Sequence, residues 1–253
     1  MKVASFDIGI KNLAVFVGEK TEENDIGINP LFWKVINVLG EDLQKCCVCQ
    51  KKAILSIKTV ETINWYCKVH DPDKKKRTVS EYSQFLLKRD GKKVTSCGTQ
   101  ELQVKMIQAL DNCVDNCYNI LDVDTVIIEL QPRLNPKMKQ LSHTLYAWFL
   151  IKGTRINQVK FIAAKNKLKI AHKFCPLLVT DEKKLKGKYN QRKYLAQEFT
   201  REIIHARFED LTKKFDSSSK KDDLSDCFLQ CLFYFHSKEI IKKKCLKQKP
   251  KTS

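Results

Sequence analysis

The sequence predicts an α/β protein built on a mixed five-stranded sheet flanked by helices. Three observations predict it. About forty residues at the start hold three apolar runs separated by turn signals, the pattern of an antiparallel opening. Beyond residue 99, helical periodicity alternates with short β-branched runs, as in parallel strands joined by helices. The chain has 253 residues, 43% hydrophobic and 9% aromatic, enough to bury a sizeable core.

Residues 2–8 and 13–17 read as strands joined by the turn Gly9-Ile10-Lys11-Asn12, and residues 31–38 form a third after the Asn29-Pro30 break. Residues 41–76 depart from this pattern. They are rich in Cys and Lys, lead into the charge run Asp71-Pro72-Asp73-Lys74-Lys75-Lys76-Arg77, and read as an insertion. From Thr99, the apolar residues Leu102, Met106, Leu110, Cys113, Val114 and Cys117 recur at helical spacing. Residues 124–130 (DTVIIEL) are a buried central strand, 136–152 a helix, and 159–163 another strand. A basic helix covers 190–206, and a last helix follows Ser217-Ser218-Ser219, from Asp222 to about Lys238. Three antiparallel strands followed by alternating helix and strand are the opening of an RNase H-like fold. The whole chain, 1–253, reads as one such domain, interrupted by the insertion and ended by a basic tail at 238–253.

The formal net charge of +18 calls for a polyanionic partner, and nucleic acid is the expectation. Residues 160–198 carry a net +8 and the tail a net +6. No apolar run approaches the roughly 20 residues that span a bilayer, and MKVASFDIGI lacks the h-region of a signal peptide. A soluble intracellular protein without a membrane partner is expected. Of the eleven cysteines, Cys97, Cys113, Cys117, Cys175, Cys227, Cys231 and Cys245 fall in periodic apolar segments and read as small core residues, not as a disulfide framework.

Carboxylates mark the chemistry. Asp7 stands near the end of the first strand, on the face of Val3 and Ser5, where burial is costly unless it holds a proton or a cation. Glu129 stands near the end of the central strand, after the interior residues Val126, Ile127 and Ile128. On the last helix Leu224, Phe228, Cys231, Leu232 and Phe235 form an apolar stripe, with Asp223, Asp226 and Gln230 on the other face and Asp222 at its edge. Asp222 and Asp223 also suit a helix N-terminus, whereas Asp226 adds a third negative charge that a divalent cation, or Lys220 and Lys221, would relieve.

The segments FDIGIKNLAVF, VIIELQPRLNPKMKQLSHTLYAWF, KYNQRKYLAQEF and KKDDLSDCFLQ together resemble the poxvirus-type Holliday junction resolvases, relatives of the RuvC and mitochondrial resolvases. The segments keep the family's order and cover most of the chain outside residues 41–97. The resemblance implies a homodimeric, Mg²⁺-dependent endonuclease, Mn²⁺ substituting, that nicks four-way DNA junctions in pairs during viral DNA replication or recombination. If the chain is viral, its place is where viral DNA replicates, in host cytoplasm or nucleus. The family's acidic quartet falls on Asp7, Glu129, Asp223 and Asp226, holding two Mg²⁺ ions about 4 Å apart for in-line phosphodiester attack. Asp7 is placed as the bridging ligand, and Asp222 receives no role.

Cys46-x2-Cys49 and Cys67-x2-His70 have zinc-ribbon spacing, and thiolates with an imidazole suit structural Zn²⁺. Cys47 competes with Cys46, but Cys47-x-Cys49 is the poorer chelate, so Cys46 is chosen. Short poxvirus members do not need such an insert, while relatives from giant DNA viruses carry similar ones. It grips either DNA or protein. Lys165, Lys167, Lys169, Lys188, Arg192, Lys193, Lys220 and Lys221 are the candidates for a phosphate track along junction arms. Tyr146, Trp148 and Phe149 read as core or interface.

Two rivals remain. An actin-like phosphotransferase shares the Asp7-x-Gly9 opening but needs glycine-rich phosphate loops, for which eight glycines leave no room. A non-catalytic zinc-containing nucleic-acid-binding protein explains charge and cysteines but not four acids on three core elements.

Overall fold

The structure, a computed structural model, describes residues 1–39, 45–49, 51, 53, 55–58, 62–67, 69, 70, 72, 98–132, 134–175 and 187–247. The charge run through Arg77, Cys97, the side chains of Lys188 and Cys245, and the end of the tail lie outside the described residues.

Along the chain come β1 (Lys2–Ile8), β2 (Asn12–Lys20), β3 (Ile28–Asn37), β4 (Leu55–Lys58), β5 (Ile63–Tyr66), α1 (Thr99–Asn116), β6 (Thr125–Leu130) and α2 (Pro136–Lys152). They are followed by β7 (Gln158–Ala163), a 3-10 turn (Ala164–Asn166), α3 (Lys167–Phe174), α4 (Lys188–His205), α5 (Glu209–Ser217) and α6 (Lys221–Lys247). The chain divides into two units, Met1–Val38 with Met106–Ser253, and Leu39–Lys105.

The larger unit holds a five-stranded sheet in the order β3-β2-β1-β6-β7. β1, β2 and β3 pair antiparallel, while β6 runs parallel to β1 and β7 parallel to β6. This order and sense make the fold RNase H-like. β3 begins earlier than the Asn29-Pro30 break predicts. A register shift between Val17 and Gly18 sets Pro30 opposite Gly18, and an edge strand tolerates a proline there. At the other end, Asp124 fixes register: its carboxylate accepts from the Lys2 amide (2.7 Å), its amide donates to the Lys2 carbonyl (3.0 Å), and its carbonyl accepts from the Asn157 amide (2.9 Å).

Strand alternation sends β1 side chains to two layers. Phe6 meets Phe149 of α2, ring centroids 5.2 Å apart, on one face. Val3, with Phe16 and Ile127, packs on the opposite face in a core containing Leu224, Phe228 and Leu232 of α6, with Ile170 of α3 and Phe199 of α4. Helix α2 starts where Asn135 caps the Met138 amide and Pro136 takes the first turn. Trp148 and Phe149 are core, as expected, and Tyr146 stacks on Phe161. Cys113, Cys175, Cys227 and Cys231 are buried, whereas Cys117, expected inside, is exposed just past α1.

Helix α6 differs from expectation in two respects. It continues past Lys238, because the Lys- and Leu-containing sequence that follows favours helix. Gln230, expected on the polar face, is only 1% exposed. The sheet covers α6 on one side while α3 and α4 pack against it from others, so the polar face shrinks to Asp222, Asp223 and Asp226. Helices α3 and α5 and the β4–β5 hairpin are short and were not separately anticipated. Among the described residues no helix is long and apolar enough to cross a membrane.

The first turn of α6 is tied to the sheet by Trp33, whose indole N–H donates to the Leu224 carbonyl (3.1 Å) while its ring stacks on Phe215. Trp33→Phe removes this donor and part of the packing. A stability loss of about 1–3 kcal/mol is expected in denaturant unfolding.

Candidate functional site

Asp7 and Glu129 occupy the carboxyl ends of neighbouring parallel strands, one residue beyond the last registered pair, Phe6 with Ile128. Both side chains point toward α6, as alternation from Val3 and Ile127 requires. The helix brings Asp226 down onto them. One carboxylate oxygen from each of Asp7, Glu129 and Asp226 lies within 4.8 Å of the others, so the three can hold a metal ion. Hard oxygen donors at the end of a sheet suit Mg²⁺ or Mn²⁺.

Asp223 stands outside this group. Its carboxylate is 3.5 Å from the side-chain amide nitrogen of Asn12, the first residue of β2, and burial followed by the Asp222 charge raises its pKa. Asp222 is engaged elsewhere: its carboxylate takes the Lys193 ammonium at 2.7 Å, and Lys193 also lies over the Tyr189 ring. Burial works against the Asp222 carboxylate, but Lys193 outweighs it and lowers the pKa.

Lys167 is the residue that sequence reasoning misplaced. It was expected on an exposed phosphate track with Lys165 and Lys169, yet it is buried, with its ammonium 2.5 Å from Glu129 and 2.7 Å from Asp226. The track loses this member because the 3-10 turn after β7 swings the chain over the sheet end, aiming the first side chain of α3 inward. Lys165 and Lys169 stay exposed. In an alternating Lys run nothing singles out the middle one; its distance of four residues from the end of β7, the strand beside the one carrying Glu129, was the available signal.

Electrostatics follow from this packing. Burial pushes the Asp7 pKa well up, Lys167 opposes that, and Glu129 and Asp226 add to it. Burial likewise raises Asp226 against the pull of Lys167. For Lys167, desolvation is overcome by Asp226, Asp7 and Glu129, and its pKa rises. With Lys167 charged, three ionised carboxylates leave two negative charges uncompensated, which a proton or a divalent cation can offset.

The smaller unit holds a second cluster. Cys46, Cys49, Cys67 and His70 present ligand atoms all within 4.8 Å of one another. Sγ of Cys49 is 3.7 Å from that of Cys67, and His70 Nδ1 is 3.6 Å from Cys46 Sγ and 3.5 Å from Cys67 Sγ. A zinc tetrahedron with Zn–S near 2.3 Å and Zn–N near 2.0 Å has S···S edges of about 3.8 Å and S···N edges of about 3.5 Å. The donor set and spacing therefore fit Zn²⁺. Cys47 is exposed and outside the cluster, in agreement with the choice of Cys46. The Cys47 amide donates to the Trp65 carbonyl on β5 (2.9 Å), and the Cys46 amide to that of Lys51 (2.7 Å), which hold the first half-site. Burial pushes the Cys46 thiol up, but backbone N–H groups and His70 outweigh it and bring its pKa to about 6, close to thiolate at neutral pH.

An RNase H-like sheet with acids at the ends of its two central strands is thus the setting in which the chain compares with known proteins. No family model matches. The chain is 32% identical over 194 residues, 74% of its length, to uncharacterized protein L451 of Acanthamoeba polyphaga mimivirus, and it spans about half (46%) of that relative. Among solved structures it is similar to Fowlpox virus resolvase in complex with Holliday junction DNA, with 14% identity, TM-score 0.48, and coverage of 94% of this chain and 98% of that one. It is also similar to Thermus thermophilus RuvC, with 10% identity, TM-score 0.47, and coverage of 94% and 96%. The yeast mitochondrial Holliday junction resolvase Ydc2 gives 12% identity, TM-score 0.46, and coverage of 92% and 82%.

The carboxylate cluster sets stability in the metal-free protein. Because Asp7 holds its proton more tightly folded than unfolded, stability falls as pH rises from the ordinary carboxylate range through the raised value. Asp7→Asn is expected to remove that dependence and raise the metal-free melting temperature above pH 7 by roughly 2–4 °C per kcal/mol gained. Lys167→Met, which strands the carboxylates, is expected to cost about 3–5 kcal/mol. For the second cluster, Cys46→Ser, Cys49→Ser, Cys67→Ser and His70→Ala are each expected to lower zinc content by elemental analysis, and Cys47→Ser to retain it.

Proposed function

We propose that the chain is a metal-dependent, structure-specific endonuclease that resolves four-way DNA junctions. The observation that carries the proposal is the convergence of Asp7, Glu129 and Asp226 at the end of the sheet, in a protein of net charge +18. These three would hold Mg²⁺, and Asp223, one turn earlier on α6, would be available for a second ion. When bound, the metal supplies Lewis-acid activation of water and neutralises charge on the phosphate and the leaving 3′ oxygen. The protein's own part is to hold the carboxylates. Lys167 pins Glu129 and Asp226 and limits their mutual repulsion, and the half-buried strand ends leave the carboxylates open to solvent and substrate from one side.

Substrate binding follows from charge. Lys165 on the turn ahead of α3, Lys169 on α3, Arg192 on α4 and Lys220 ahead of α6 are exposed on elements adjoining the cluster. Lys193 and Lys221 are half-exposed, and Asp222 with Tyr189 orients Lys193. Such side chains meet phosphates, which position a branched substrate without reading bases. The junction as substrate rests on the motif set around Asp7, Glu129 and the KKDDLSD helix start, which resembles the resolvases. Paired nicks on opposing strands require two sites, hence a homodimer, and Zn²⁺ at the Cys/His cluster stiffens the insertion. An intracellular setting at sites of viral DNA replication is the matching location.

With Mg²⁺, the purified protein is expected to cut a synthetic four-way junction into two nicked duplexes. Asp7→Asn and Glu129→Gln should abolish cutting while leaving junction binding within a few-fold; binding without cutting by the unmodified protein favours the non-catalytic zinc-protein reading. Arg192→Ala and Lys165→Ala should each lower the log–log salt slope of binding by roughly one unit, uniformly over junction sequences.

A further inference from the structure

Behind the carboxylate cluster lies a deeper layer of polar atoms. Two residues before Asp7 on β1, and on the same face, Ser5 is fully buried, and its Oγ has no hydrogen-bond partner among the described residues. One turn after Asp226 on α6, Gln230 is 1% exposed, and neither Nε2 nor Oε1 has a partner among them. Native interiors leave few such atoms unmatched. Here three of them belong to the two elements that carry Asp7 and Asp226.

The two side chains stand at the same depth. Asp226 meets Asp7 at the sheet end, while Cys231 Sγ lies 3.9 Å from the Val3 carbonyl oxygen, to which it donates. Helix α6 therefore runs back along β1 from Asp7 toward Val3, and Gln230 falls at the level of Ser5. A two-residue step along a strand is about 6.6–6.8 Å and a helical turn about 5.4 Å. These are backbone steps, one repeat of each element, and among the described residues no direct hydrogen bond joins this layer to the carboxylates, so a bridging water is the partner left for its polar atoms. A buried water needs two to four polar partners, and a hydroxyl, an amide and two carboxylates provide them.

We propose that Ser5 and Gln230 are positioning residues for the metal-binding carboxylates, holding the inner oxygens of Asp7 and Asp226 through shared buried water. The inference rests on the reading of Asp7, Glu129 and Asp226 as a divalent-metal site. Groups that orient metal ligands from behind tune affinity without touching the metal. Gln230 supplies both a donor and an acceptor, and the Ser5 hydroxyl can do either.

The test uses the full chain carrying Gln230→Met or Ser5→Ala, with Mn²⁺ binding followed by electron paramagnetic resonance and thermal unfolding measured without metal. Gln230→Met replaces the amide by an apolar side chain of similar size. It is expected to fold, with thermal unfolding in the absence of metal reporting any loss of stability, and to bind Mn²⁺ about 10-fold more weakly. Ser5→Ala should weaken Mn²⁺ several-fold, and, removing one oxygen only, it decides the matter if Gln230→Met does not fold. Mn²⁺ affinity within two-fold of wild type in the folded variants overturns the inference; if Asp7→Asn still abolishes Mn²⁺ binding, the metal site stands without it. Wild-type protein that binds no Mn²⁺, or whose binding Asp7→Asn leaves unchanged, overturns both.

Discussion

Three carboxylates and one ammonium share the end of the sheet, and the rest of the structure is arranged to hold them there. Like charges this close repel, and burial raises the cost of keeping them ionised. Lys167 answers part of that cost by pairing with both Glu129 and Asp226. The rest is met by rigid support: Asp7 and Glu129 sit on hydrogen-bonded parallel strands, and Asp226 on a helix fastened by Trp33 to β3. A divalent cation bound there, as proposed, would offset the negative charge that Lys167 leaves uncompensated.

That constraint explains how the surrounding elements are used. Core packing from Phe16, Trp33 and Phe228 fixes the start of α6 against the sheet, so the helix polar face can be only as wide as its acids. Asp222 then faces away and orients Lys193, which links α6 to the basic helix α4. Charge at the rim is positive and charge at the centre negative. Under the proposed function, a phosphate backbone would be drawn in by the first and would meet a cation at the second.

Much of this was legible in the sequence. Strand β1 is an apolar run before a glycine turn and β6 a β-branched run, so Asp7 and Glu129 could be placed near the ends of neighbouring strands. The Cys46-x2-Cys49 and Cys67-x2-His70 spacing pointed to the second cluster, in which Cys46 and not Cys47 stands beside the other three. Lys167 was not legible, because its role depends on a turn that only tertiary packing sets, and Lys165 and Lys169 disguise it. Gln230 was misread because helical periodicity reports one buried face, while α6 is covered from several sides. The early start of β3 escaped because a register shift at Gly18 accommodates the proline that seemed to mark where the strand begins.

The central claim is that the strand-end carboxylates are a divalent-metal site. Anomalous X-ray scattering from crystals of the zinc-loaded protein soaked in Mn²⁺ tests it most directly, since Mn²⁺ prefers oxygen donors to thiolates. The account predicts manganese density bounded by Asp7, Glu129 and Asp226, apart from zinc at the Cys46 cluster. Manganese absent from those carboxylates, with the lysine pairs to Glu129 and Asp226 unchanged, would contradict it.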